Sequence, residues 1–186
     1  RTAQHLFRVF VDGRGVEPHL RLSECLVASG AAEAAEAHLR RVLEESDSGE
    51  APPELWHAWL DVTLSYLGWS PRDCLARLPA REEDAWKSDV QWLLAELSST
   101  GAVRIDCAGT EEHSSPTGLR WGRDRFDRGG RANNWAGAPE GRPAVRGSPD
   151  EWLYAMSRWF GPDEDYPGYA IPLPRGKYTV TLHFCE

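Results

Sequence analysis

The chain has 186 residues, 41% hydrophobic and 27% charged, which suffices for one sizeable domain or two small ones. Its net charge is −8, with 10 basic and 17 acidic residues in 1–100 and 11 and 12 in 101–186. Neither half therefore offers the basic surface that nucleic acid requires. No apolar run approaches the ~20 residues of a membrane helix, and four cysteines without a CxxC pair argue against a zinc ribbon or a disulfide scaffold.

The opening stretch "RTAQHLFRVFVDGRG" carries neither a signal-peptide core nor an initiator Met. The chain thus reads as a piece of a longer protein, and its compartment is not written in it. "EPHLRLSECLVASG" then places Leu22, Cys25 and Leu26 on one helical face and ends at Gly30, a residue suited to the C′ position. "AAEAAEAHLRRVLEES" follows after a short turn. Its Ala35, Leu39, Val42 and Leu43 form an amphipathic stripe, and Glu36 to Arg40 is a favourable i,i+4 pair.

"SGEAPP" breaks the pattern. "ELWHAWLDVTLSYLG" opens after Pro53 and closes at Gly68, with Trp56, Trp59, Leu60, Thr63, Leu64 and Leu67 at helical spacing. "SPRD", 70–73, is a capping box with Pro at the first helical position, and it starts a short helix through Cys74, Leu75 and Leu78. A last helix over 81–98 carries Trp86, Val90, Leu93, Leu94 and Leu97. The five tryptophans of this half (56, 59, 69, 86 and 92) read as core, with an aromatic binding surface as the other reading. "EAAEAHLRRVLEES" resembles a helix of a tetratricopeptide-type repeat. No clean second copy recurs at about 34 residues, so a plain bundle stands equally.

At Gly101 the grammar changes. "AVRIDCAG" alternates, glycine and proline become frequent, and "YAIPLPRGKYTVTLHFCE" predicts a strand, a turn at "PRG" and a second strand. In that second strand Tyr178, Val180, Leu182 and Phe184 alternate with polar residues and should face a core. The expected architecture is α+β multidomain. An all-α helical bundle or short solenoid occupies 1–100, with the end of a helical-repeat array as a further reading, and a β-module occupies 101–186.

The β-module resembles a malectin or malectin-like domain. The resemblance rests on four pieces in order: "VRIDCAG", "WGRDRFDRGG", "DEWLYAMSRW" and "YAIPLPRGKYTVTLHFCE". It implies a jelly-roll-like β-sandwich, of which the N-terminal part would be present, and non-catalytic binding of an oligosaccharide or glycan. By the same resemblance Trp135 and Trp159 fall where animal malectin places sugar-stacking tyrosines. Asn134, Tyr154 and Arg158 complete the expected carbohydrate contacts. Each also has a structural reading. Trp121 and Trp152 fit a sandwich core, Tyr154 fits an inward-facing tyrosine, and Asp124, Arg125 and Asp127 fit turns and surface ion pairs. The acidic run "PDEDYPG", 162–168, reads as a solvated turn rather than a cation site.

No GxSxG, HExxH or P-loop occurs, so no catalytic residue, metal ligand or cofactor is expected. His183 on the polar face of the last strand, near Asp106 if the strands pair, is read as structural. Cys107 and Cys185 are expected to be free buried thiols, or a disulfide in an oxidising compartment. Two other functions compete with sugar binding. One is a protein-binding scaffold working through the helical half, with no sugar affinity. The other is an accessory region of an enzyme whose catalytic domain lies elsewhere.

Overall fold

The computed structural model describes residues 15–45, 51–80, 85–134, 147–154, 156–161 and 168–183. The chain divides into two compact units: Arg1–Gly101 with Pro172–Gly176, and Ala102–Ile171 with Lys177–Glu186.

The first unit is helical. α1 (Glu17–Ala28) and α2 (Ala32–Glu45) form a hairpin. Gly30, at φ +79°, makes its turn. The Gly30 N–H donates to Val27 O at 2.9 Å and the Ala31 N–H to Leu26 O at 2.8 Å, which is the Schellman arrangement. α1 buries Leu22, Ser23 and Leu26, while Cys25 is exposed. The packed face is thus rotated from the expected one toward Ser23, which can be buried because its hydroxyl donates to Leu20 O at 2.7 Å.

α3 (Pro53–Leu60) runs on into a π-helical turn at Asp61–Tyr66. The Leu67 N–H reaches Val62 O at 2.9 Å, and Gly68 follows at φ +66°. α4 (Pro71–Ala76) begins with the expected capping box: Ser70 Oγ accepts from Asp73 N and Asp73 Oδ2 accepts from Ser70 N, both at 3.1 Å. α5 (Ala85–Ser99) packs Val90, Leu93 and Leu94 inward; the predicted start at 81–84 lies outside the described residues. Among the described residues, no helix is long and apolar enough to cross a membrane, and the helices differ in length with no two-helix unit recurring at a fixed period.

Trp56 and Trp59 are fully buried and meet edge to face at 6.3 Å, as the core reading requires. Trp69 packs edge-on to Trp59 at 6.5 Å. A buried indole needs an acceptor. Trp59 Nε1 donates to Glu36 Oε1 at 2.9 Å, and the same oxygen takes Arg40 Nε and Nη2 at 2.9 and 2.6 Å. Arg40 Nη2 also caps Arg77 O at 2.7 Å. The predicted Glu36–Arg40 pair is therefore the polar hinge of the core, more than a surface pair. Within this unit, the Arg175 N–H donates to Ser65 Oγ at 2.9 Å, and its guanidinium lies 4.7 Å from the Tyr66 ring.

The second unit is β-poor. The described strands pair as three antiparallel ribbons: β1 (His113–Ser114) with β2 (Arg120–Trp121), β3 (Asp127–Arg128) with β6 (Gly168–Tyr169), and β4 (Arg131–Asn134) with β5 (Met156–Trp159). The expected sandwich does not close among the described residues. "VRIDCAG" contributes one bridge, Ile105 to Gly122. "YAIPLP" leaves the ladder after Tyr169, since Pro172 and Pro174 have no N–H to donate. The expected last strand is not formed over 177–183. Tyr178, Val180 and Leu182 are 50%, 78% and 69% exposed, where a core face was expected. No described strand supplies the ladder that would give these side chains a covered face; Phe184 lies outside the described residues. His183 meets the Trp121 ring edge-on at 5.4 Å, not Asp106. Trp121 is buried, as expected.

Glu36→Ala should destabilise the chain by about 2–3 kcal/mol, because it strands the Trp59 N–H and the Arg40 guanidinium together. Urea unfolding followed by tryptophan fluorescence measures this; a loss below about 0.5 kcal/mol would contradict the hinge role.

Candidate functional site

The polar density of the second unit centres on Arg158. Strand alternation in "MSRW" sends Arg158 to one face of β5 and Trp159 to the other. Arg158 is nearly buried, its side chain 13% exposed, and its partner Asp124 is 8% exposed. Arg158 Nε and Nη2 donate to Asp124 Oδ2 at 2.8 and 2.5 Å. Its Nη1 forms an ion pair with Asp127 Oδ2 at 3.0 Å and donates to the carbonyls of Gly129 and Gly130 at 2.9 and 3.4 Å. One guanidinium thus clasps β5 to the segment 124–130, meeting a fork-shaped set of acceptors.

Asp124 is the matching hub. Its Oδ2 also accepts the Ala108 N–H at 2.7 Å, and its Oδ1 accepts the Tyr169 hydroxyl at 2.7 Å. Burial, then hydrogen bonds to Cys107 and Asp124, push the Tyr169 phenol well up, so it stays a donor. Ala108 and Phe126, both buried, flank the hub at φ +70° and +60°. Left-handed backbone at non-glycine residues costs energy that the surrounding bonds must hold. The Ala170 N–H to Phe126 O bond at 2.8 Å is one of them. Gly130 is required by space: a Cβ there would lie 2.7 Å from the Phe160 ring. That ring packs edge-on to Tyr169 at 6.2 Å.

Asp106 lies beside this hub, 2% exposed, with its carboxyl folded over Gly109 where a Cβ would collide with it. Burial first, then the Asp124 charge, raise it to about 7. Arg125 is buried and pairs with Glu112, which also lies 3.6 Å from Arg120.

Of the expected carbohydrate contacts, Trp159 is 57% exposed at the end of β5. Arg158, on the opposite face, is committed to the acceptors above. Tyr154 is half-buried at the end of a 3₁₀ turn, Glu151–Tyr154. Asn134 contributes backbone to β4; its side chain and the whole of Trp135 lie outside the described residues, as do the side chain of Trp152 and residues 162–167. Asp124, Arg125 and Asp127 form ion pairs, but those of Asp124 and Arg125 are buried where surface pairs were expected. Cys107 is free and exposed, where a buried thiol was expected, and Cys185 is outside the described residues.

Residue by residue, the sequence reading did not single out Asp106 as a buried acid or Tyr169 as a partner of Asp124. The crowding of charges in "GRDRFDRGG" was the available signal.

The malectin domain family model matches residues 102–186. This stretch is the C-terminal part of the chain, and the family is associated with carbohydrate binding. No curated protein and no solved structure matches the chain. In the matched region, then, a nearly buried arginine–aspartate clasp holds a short ribbon that carries an exposed indole. That arrangement suits presentation of a flat apolar face to a ligand. Among the described residues no three His, Cys, Asp or Glu gather in a way that could hold a metal ion.

The Asp106 carboxyl keeps its proton to about pH 7 when folded and loses it near 3.8 otherwise. The folded state therefore binds more protons across that window, so this group's effect on stability worsens as pH rises through it and is worst above pH 7. Asp106→Asn should flatten this slope and raise the melting temperature at pH 8 relative to the parent. An unchanged slope between pH 5 and pH 8 would contradict the burial of the acid.

Proposed function

We propose that residues 102–186 bind an oligosaccharide without cleaving it, using the exposed Trp159 indole as a stacking face. The observation that carries this reading is the position of Trp159. It is a large aromatic, 57% exposed, on the ribbon held by the Arg158–Asp124 clasp, inside the stretch that matches the malectin domain. Exposed indoles are costly to leave in water and favourable to cover. The C–H face of a pyranose covers one, while the sugar hydroxyls need polar groups close by.

Ser157, exposed and two residues before Trp159, shares its face of β5 and offers such a group. In this reading the three ribbons are parts of a malectin-type β-sandwich, and Trp135 and Asn134 belong to the same contact surface. Arg158 then acts on the sugar only through the ribbon it holds.

Trp159→Ala should weaken binding of a responsive glycan by about 1–3 kcal/mol with little effect on melting temperature, the scale expected for uncovering one aromatic face. A glycan array identifies the responsive ligand and calorimetry measures the loss. A parent chain that binds nothing on the array, or a Trp159→Ala variant that binds as well as the parent, would reject the reading.

A further inference from the structure

Arg131 on β4 stands directly opposite Trp159 on β5. Directly opposed residues of an antiparallel pair project from the same face with Cβ atoms about 4.5–5.5 Å apart. Arg131 is exposed, as are Ser157 and Trp159 of this face. One face of the ribbon therefore carries both an arginine and an exposed indole.

The described acids nearby are used elsewhere. Asp124 and Asp127 are held by Arg158, and Glu112 pairs with Arg125 and Arg120. Among the described residues neither Arg131 nor the exposed Arg128 has a salt-bridge partner. Arg128 precedes Arg131 across the Gly129–Gly130 turn, where both glycines have positive φ, 75° and 79°. Among the described residues, this corner therefore carries positive charge beside its exposed ring.

A neutral saccharide needs hydroxyl partners, and an amide or hydroxyl would serve it as well as a guanidinium. A guanidinium fork fits an anionic oxygen pair. We propose that the saccharide taken here is acidic: its anionic substituent, a carboxylate or a sulfate ester, is gripped by Arg131 while the ring it belongs to lies on Trp159. This rests on the carbohydrate reading above and adds the charge class of the ligand.

The test titrates the full chain with three disaccharides of one linkage: neutral, terminally oxidised to a uronate, and sulfated. At low salt at least one acidic form should bind about tenfold or more tighter than the neutral form, a gap of about 1.4 kcal/mol. The acidic form preferred tells the two anions apart. The gap should narrow as salt rises. In Arg131→Gln the acidic form should bind no more tightly than the neutral one, and Arg131→Lys should keep part of the gap, because charge remains while the fork is lost. Arg131 is exposed, and circular dichroism checks that both variants fold. Equal binding of neutral and acidic forms by the parent, or a gap that survives Arg131→Gln, overturns the acidic-sugar proposal and leaves sugar binding standing. Failure of the parent to bind any of the three, together with an empty glycan array, overturns both.

Discussion

The Arg158–Asp124 pair is the contact on which the described part of the malectin region depends. Both side chains are nearly out of water, so each is tolerable only in the presence of the other. The bonds they make reach β5, the 108 turn, the 124–130 segment and β6 through Tyr169. Short two-stranded ribbons are marginal by themselves in water. Here a polar hub supplies what a deep apolar core supplies elsewhere: among the described residues of this unit the buried apolar side chains are few, Ala108, Trp121 and Phe126. The same hub imposes costs, in the left-handed backbone at Ala108 and Phe126 and in the buried acid Asp106 beside it.

The helical unit uses the opposite balance. Its core is broad and apolar, with Trp56, Trp59, Leu39, Leu43, Leu55 and Leu94 almost fully buried. Among its few buried polar side chains, Glu36 is satisfied by an indole and a guanidinium. The π-helical turn after Leu60 belongs to the same packing. The Thr63 hydroxyl donates back to Trp59 O at 2.9 Å, and Cys74 Sγ contacts Thr63 Oγ1 at 3.5 Å. Burial pushes the Cys74 thiol up, so it behaves as a packing residue.

Legibility in the sequence followed the range of the interactions. Helical spacing, the Gly30 stop and the "SPRD" cap are local signals, and they placed the hairpin and α4 closely. The alternation in "KYTVTLHFCE" is equally local, but a strand needs a ladder from distant residues, and the pattern cannot report whether one is present. Arg158 shows the same limit. It was expected as a ligand contact alongside Trp159, but adjacency on a strand means opposite faces. Its true partners lie 31 and 34 residues away in sequence at Asp127 and Asp124. The Arg131–Trp159 juxtaposition was invisible for the same reason, since it exists only through the β4–β5 register.

In the proposed reading, the clasp holds Trp159 outward as a ligand-facing ring while the buried tryptophans of the helical unit serve packing. Indole N–H resonances of the full chain report each of its nine tryptophans separately. On titration with a saccharide that the chain binds, the Trp159 indole should shift in proportion to occupancy, and the fully buried Trp56 and Trp59 should not. A saturable titration in which Trp159 stays fixed would contradict the account.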